Sequence, residues 1–305
     1  MIMKKILIIV GPTAVGKSDL AIKLAKKFNG EIISGDSLQI YRKLDIGTAK
    51  VQTKDQDGIK HYLIDTKEID EENSVVDFVH DAGKLINQIS STGKLPIIAG
   101  GTGYYIQALI NGLALGGENS SDKKIKADLE KELASTNSEH MWSQLKEIDP
   151  DAAIKIPKTN SRKIIRALEV YKATGKKFSD QQNQKKQYDA LIIGLNCNRA
   201  LLYQRINQRV DLMMKSGLLQ ENEWLYANGG VNNPACKGIG YREFNAYFNN
   251  HQSLSATIDA IKLDSRHYAK RQLTWFRNKL NTNWFNLVEH PNEINDIDLL
   301  IRKWR

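Results

Sequence analysis

Residues 11–18 read Gly11, Pro12, Thr13, Ala14, Val15, Gly16, Lys17, Ser18, a fit to G-x-x-x-x-G-K-[ST]. Ahead of them Lys5–Val10 is KILIIV, a β-branched apolar run suited to a buried parallel strand. Behind them Leu20, Leu24, Ala25 and Phe28 recur at helical spacing. Strand, glycine loop and helix are the context in which this pattern cradles phosphate. Gly11 and Gly16 permit backbone angles that turn successive amides inward, and the following helix adds its positive N-terminal end. Lys17 is a mobile cation for the outer phosphates, and Ser18 offers its hydroxyl to Mg²⁺. Eight residues leave open which phosphate compound is held and which bond breaks.

Working outward, Glu31–Ser34 reads as a second strand that delivers Gly35–Arg42 into a loop. Residues just past the C-terminal ends of strands in an open α/β sheet face the ligand crevice, which makes Asp36 a site candidate. Its competing reading is an Asx turn or helix cap. His61–Asp65 (HYLID) reads as a further strand, with Asp65 at a strand-end turn as much as at a metal. Ser74 and Asp77 have capping-box spacing, and Val75, Val79, Ala82, Ile86 and Ile89 form an apolar stripe that ends near Gly93. Leu95–Ala99 is another strand, opening onto a second glycine loop, GGTGYYI at residues 100–106. There Thr102 can hydrogen-bond a phosphate oxygen across the crevice, or the glycines serve packing alone.

From about Leu115 to Lys186 the pattern becomes helical only, which predicts a helical domain over 116–186 inserted into a core of 1–115 and 187–305. Ile125, Leu129 and Leu133 mark one amphipathic helix, and Met141, Trp142 and Leu145 a second. Ile164, Ile165, Leu168 and Tyr171 mark a third, stopped at Gly175. Arg162 and Arg166 share a face of that third helix. Asp189–Leu195 restores the sheet, and the next helix turns Leu202, Ile206, Val210 and Met213 inward. Arg205 and Arg209 lie four apart on a neighbouring stripe and could clamp phosphate or pair with acids. Lys270–Lys279 interleaves cations with aromatics, a composition suited to RNA phosphates and bases. The competing reading sends Leu273 and Phe276 into the core with the cations as a solvated flank.

Composition narrows the class. The 305 residues carry Lys+Arg 44 against Asp+Glu 35, a net +9 that favours a polyanionic partner. With 41% hydrophobic residues the chain can bury a core, which excludes an intrinsically disordered protein. Two cysteines, Cys197 and Cys236, exclude a disulfide framework and a four-cysteine zinc site. No apolar run approaches the ~20 residues that span a bilayer, and MIMKKILIIV leads straight into the glycine loop without a signal-peptide pattern. The expectation is a cytoplasmic enzyme with no membrane partner.

Taken together, GPTAVGKS, DSLQIYRKLDIGTAK, HYLID, GGTGYYI, NSRKIIRALEVYKATGK, GIGYRE and YAKRQLTWFRN resemble, in order, the tRNA dimethylallyltransferase family from residue 11 to about 278. The resemblance implies a P-loop NTPase-like α/β core with a parallel sheet, a helical insertion and a helical C-terminal part. It implies transfer of dimethylallyl from dimethylallyl diphosphate to N6 of adenosine 37 in the anticodon stem-loop, assisted by Mg²⁺; separately, a monomer is the expected oligomeric state. The resemblance assigns diphosphate binding to residues 11–18, catalysis to Asp36 as general base with Thr102 and Arg209, and the target base to Asp36, Ser37, Leu38 and Gln39. Further tRNA contacts fall on Asn160, Ser161, Arg162, Lys163 and Ile164, and on Cys236, Lys237, Gly238, Ile239, Gly240, Tyr241 and Arg242. The last set is Lys270, Arg271, Gln272, Leu273, Thr274, Trp275, Phe276 and Arg277. The family often carries a Pro and Arg pair where this chain has Thr159–Lys163. With only two cysteines, no zinc-finger extension of the kind in eukaryotic relatives is expected. A P-loop small-molecule kinase is the alternative. A nucleotide switch is disfavoured because Asp55–Gly58 fits D-x-x-G without an N-K-x-D for guanine.

Overall fold

A computed structural model describes residues 3–113, 115, 122–181 and 186–305, and puts the KILIIV run at the middle of a six-stranded sheet. The strands are β1 (Lys4–Val10), β2 (Gly30–Ser34), β3 (His61–Tyr62), β4 (Leu95–Ala99), β5 (Tyr188–Leu195) and β6 (Asn283–Phe285). Their spatial order is β3-β2-β4-β1-β5-β6, and every pairing is parallel. Because β1 lies between β4 and β5, with Leu7 opposite both Ile97 and Leu191, the loops after β1, β2, β4 and β5 leave the same edge of the sheet. That is where ligands settle in such folds.

Alternation along β1 explains the layers. Leu7 and Ile9 enter one apolar cluster with Leu20, Leu24, Phe28 and Leu202, and Ile6, Ile8 and Val10 enter the opposite one with Phe78, Ile86, Ile106 and Phe276. The helices that supply these faces are α1 (Lys17–Phe28), α2 (Val75–Ser91) and α3 (Gly103–Asn111). Ser74 and Asp77 close the reciprocal capping box at the start of α2. The expected strand HYLID is only two residues long. Leu63 (φ 58°) and Asp65 (φ 55°) adopt left-handed angles that end it, and Asp65 pairs with Lys50 at 2.5 Å.

The chain divides into two compact units, Met1–Ile110 with Lys186–Arg305, and Asn111–Lys185. The second contains α4 (Lys123–Ser135), α5 (Ser138–Ile148), α6 (Pro150–Lys155) and α7 (Ser161–Thr174) around Leu129, Met141, Leu145, Ile164 and Leu168. Here α6 is a turn-and-a-half that the apolar spacing is too short to mark. Tyr171, expected on the inward stripe of α7, is exposed instead, and Gly175 ends the helix in the left-handed conformation. The first unit continues with α8 (Arg199–Lys215), α9 (Leu218–Ala227), α10 (Phe244–Phe248), α11 (Leu254–Lys279) and α12 (Ile294–Trp304). Among the described residues no helix is long and apolar enough to cross a membrane.

Candidate active site

The phosphate loop follows β1 with Gly11 at φ 149° and Gly16 at φ 97°. A Cβ on Gly11 would stand 2.6 Å from the Leu195 carbonyl oxygen, so both angle and space require glycine. Ala14 also has a left-handed φ, 65°, and the Arg205 Nε donates to its carbonyl at 2.9 Å. Gly16 caps α1 without a side-chain hydrogen bond. No amide of residues 14–18 meets a protein acceptor among the described residues, which leaves them as donors at a helix start. The Thr13 amide differs: it donates to Gln272 Oε1 at 3.0 Å.

Lys17 folds back so that Nζ donates to the Pro12 carbonyl at 2.7 Å. Burial of its ammonium, with the Arg209 cation nearby and the Asp36 carboxylate partly compensating, lowers its pKa to about 7. Burial likewise pulls the Arg209 guanidinium below its ordinary value, against the opposing pull of Asp36 and Asp19. Two partly covered cations beside one carboxylate leave a net positive charge at the loop, which favours an anion.

Asp36 forms the Asx turn that was its competing reading, and it lies at the C-terminal edge of the sheet beside the phosphate loop. Its Oδ1 accepts from the Leu38 amide at 2.9 Å in an Asx turn, and the carboxylate lies in the field of Lys17, Arg209 and Tyr268. The second glycine loop locks this turn in place. Gly35 N donates to Ala99 O (2.8 Å), Thr102 N to Gly35 O (3.3 Å), and Ser37 N to Thr102 Oγ1 (3.1 Å). A Cβ on Gly100 would stand 2.3 Å from the Gly35 carbonyl carbon and oxygen. Thr102 is therefore beside the site, but its hydroxyl oxygen already serves the Asp36 loop.

Helix α11 closes the group. Gln272, only 5% exposed, accepts from Thr13 N and donates from Nε2 to Gly101 O at 3.0 Å. One turn earlier the Tyr268 hydroxyl reaches Gly101 O at 3.4 Å. Burial first, and Asp36 second, raise its pKa to about 12, so it is a donor at neutral pH. Sequence reasoning missed Tyr268 and placed Gln272 on RNA. The available signal was the inward stripe of Ile261, Ala269 and Phe276, on which Gln272 falls at helical spacing.

The remaining expected RNA contacts divide by exposure. Lys237, Arg162, Lys163, Lys270, Arg271, Thr274 and Arg277 are exposed. Lys270, Arg271, Thr274 and Trp275 line a groove of about 490 Å³ together with His267, Asn278 and Lys279. By contrast Ile164, Cys236, Tyr241 and Phe276 are buried in apolar clusters, so their side chains support neighbouring contacts and offer none. Asn160 caps α7 by accepting from Lys163 N, with Ser161 beside it. Leu273 packs partly into the core, and Gly238 and Gly240 are covered, with Ile239 partly so. Arg242 is committed to Glu243 and Asp264. Gln39 is also engaged, accepting from Ser34 Oγ (2.8 Å) and donating to Thr48 O (3.2 Å), so its amide braces the loop in this conformation.

A glycine loop with free amides, set beside Lys17, Arg209 and Asp36 on a parallel sheet, defines a P-loop-like α/β fold with an anion-receptive site. The sequence model of the family described as IPP transferase matches residues 39–279. The chain is 53% identical over 303 residues to the tRNA dimethylallyltransferase of Pediococcus pentosaceus, covering 99% of this chain and 97% of the relative. It is 54% identical over 289 residues to that of Levilactobacillus brevis, covering 95% and 94%. The tRNA isopentenylpyrophosphate transferase structure from Bacillus halodurans superposes with a TM-score of 0.75 at 42% identity, covering 99% and 96%. A eukaryotic dimethylallyltransferase captured acting on tRNA gives 0.82 at 33% identity, covering 94% of this chain and 75% of that one. The chain belongs to the tRNA dimethylallyltransferase family of prenyltransferases.

Proposed function

We propose that this chain transfers the dimethylallyl group of dimethylallyl diphosphate to N6 of adenosine 37 in tRNA, in the cytoplasm and as a monomer. The observation that carries the reading is the Asp36 carboxylate set beside Lys17 and Arg209 at the mouth of a loop with free amides. As the allylic carbon–oxygen bond breaks, negative charge grows on the diphosphate. The free amides of residues 14–18 are already in place to receive it, and Lys17, once released from the Pro12 carbonyl, and Arg209 add positive charge. The N6 lone pair forms the new carbon–nitrogen bond, Asp36 takes the departing proton, and diphosphate leaves. Thr102 holds the Asp36 turn by accepting from Ser37 N.

Among the described residues no cluster of His, Cys, Asp and Glu could cage a metal. Ser18, in the first turn of α1 directly after the loop, would hold Mg²⁺ through its hydroxyl together with oxygens of the diphosphate. The ion's chemistry there is to neutralise charge developing on the diphosphate. A base inside the anticodon stack cannot reach this recess, so adenosine 37 leaves its stack, costing a few kcal/mol that contacts from the basic helix offset. The exposed cations of α11 and the net +9 support that contact.

Separate incubations of tRNA with dimethylallyl diphosphate and with ATP test the reading. One added five-carbon unit on an anticodon-loop adenosine, with diphosphate released, is the expected result. Phosphorylation from ATP with no prenyl transfer would return the kinase alternative.

A further inference from the structure

Glu221 on α9 performs a task that none of the residues assigned above performs. Its Oε2 accepts from the amides of Asp45 (2.7 Å) and Ile46 (2.8 Å), and its Oε1 from the Gly47 amide (2.9 Å) and the Tyr241 hydroxyl (2.7 Å). Three successive backbone amides converging on one anion form a nest, and here the protein supplies the anion itself. Tyr241 is fully buried, and its ring lies where a Cβ on Gly47 would stand at 2.6 Å. Burial and the Glu221 charge hold the phenol well above its usual pKa, so it stays a donor.

The clasp acts in two directions. Residues 45–47 continue into Thr48 and Ala49, whose carbonyls face Gln39 Nε2, and the other end of that amide accepts from Ser34, beside Asp36. Tyr241 belongs to residues 236–242, where Gly238 approaches Leu38 so closely that a Cβ would stand 2.3 Å from Leu38 Cδ1. One carboxylate thus joins both segments around Leu38 and Gln39. Neighbouring Asn222 reinforces it by donating Nδ2 to the Gly240 carbonyl at 2.9 Å.

We propose that Glu221 is a positioning residue for the target-base pocket, which it holds open in register with Asp36 by clasping residues 45–47 against Tyr241. The proposal rests on the reading that adenosine 37 leaves its stack to reach Asp36. Glu221→Gln keeps the shape but turns one acceptor into a donor facing backbone amides, and Tyr241→Phe removes a single hydroxyl while leaving the ring. An unsatisfied buried donor corresponds to about tenfold or more in a rate that depends on it.

The test uses the full chain with an anticodon stem-loop carrying 2-aminopurine at the target position, whose fluorescence rises on unstacking, and kinetics with unmodified tRNA. Wild type is expected to raise the fluorescence on binding. Glu221→Gln should bind the RNA within about twofold of wild type at one salt concentration, since the exposed cations are untouched. It should raise the fluorescence by less than half as much, and lose about tenfold in kcat/KM for tRNA with KM for dimethylallyl diphosphate unchanged. Tyr241→Phe should show a smaller loss of the same kind. Wild-type fluorescence and kcat/KM in both variants would overturn the proposal. So would a loss that disappears on cooling below the variants' melting transitions, which marks a purely structural role. A wild-type protein that binds the RNA with no fluorescence change would overturn the flipped-base reading, and the proposal with it.

Discussion

Two glycine loops leave adjacent strands of the same sheet, after β1 and after β4, and their glycines are there for different reasons. In the first, Gly11 and Gly16 supply left-handed angles, and the amides of residues 14–18 stay free of protein acceptors. In the second, Gly100, Gly101 and Gly103 have no left-handed requirement. Each is a close approach, with a Cβ at 2.3 Å from Gly35, 2.2 Å from Gln272 and 2.4 Å from Trp275, respectively. Its polar groups are spent inside, Gly100 N on Ile9 O and Thr102 N on Gly35 O. The same signature at a strand-to-helix junction therefore builds a ligand cradle in one case and a brace in the other. What separates them is whether the amides are consumed.

The comparison can be broken at the point where both loops meet, Asp36. Asp36→Ala should lower prenyl transfer by on the order of 10²–10⁴ while tRNA binding stays normal, read by single-turnover kinetics beside an affinity measurement. Lys17→Met tests the cradle and should cost on the order of 10²–10³ in kcat, as loss of a preorganised oxyanion donor does. That change should not destabilise the ligand-free fold. Lys17 falls from its usual 10.5 to about 7 through burial. Between those values the unfolded chain binds more protons than the folded one, so wild-type stability rises with pH across that window. Lys17→Met should flatten the slope, measured by denaturant melts from about pH 7 to 10. Diphosphate affinity should show the opposite trend, the wild-type advantage over Lys17→Met shrinking as pH rises past about 7 and Lys17 loses its charge.

The brace should fail as a fold before it fails as a site. Gly100→Ala pushes into the backbone of Gly35 and should destabilise by about 1–3 kcal/mol, read from the midpoint of chemical unfolding. Unchanged stability there would erase the distinction between the loops. The smallest effect is on the solvated face of α11. Arg277→Ala should weaken tRNA binding modestly and reduce the slope of log affinity against log salt by about one.

Legibility followed the range of the interactions. The core was readable because β1, the phosphate loop and α1 are contiguous, and the period changes from strand-like to helical within twenty-odd residues. The Asx turn at Asp36 was readable for the same reason. Gln272 was not, since a glutamine among Lys270, Arg271 and Arg277 looks like a member of a basic surface until the helix is given an inward face. Glu221 left no trace because its partners at residues 45–47 lie some 174 to 176 positions away. Strand β6 and helix α12 lie beyond the last motif, and β6 is only three residues long. Leu63 ended the HYLID strand early through a left-handed angle that the apolar pattern does not encode.

Whether the cradle at residues 11–18 holds a leaving group or a phosphoryl donor depends on one bond. Dimethylallyl diphosphate labelled with ¹⁸O at the bridge between carbon and phosphorus, reacted with tRNA, reports it directly by mass analysis of both products. Label wholly in the released diphosphate, with an unlabelled five-carbon unit on the anticodon-loop adenosine, is the predicted result. Label retained on the organic product, or transfer of phosphate to the RNA, would contradict it.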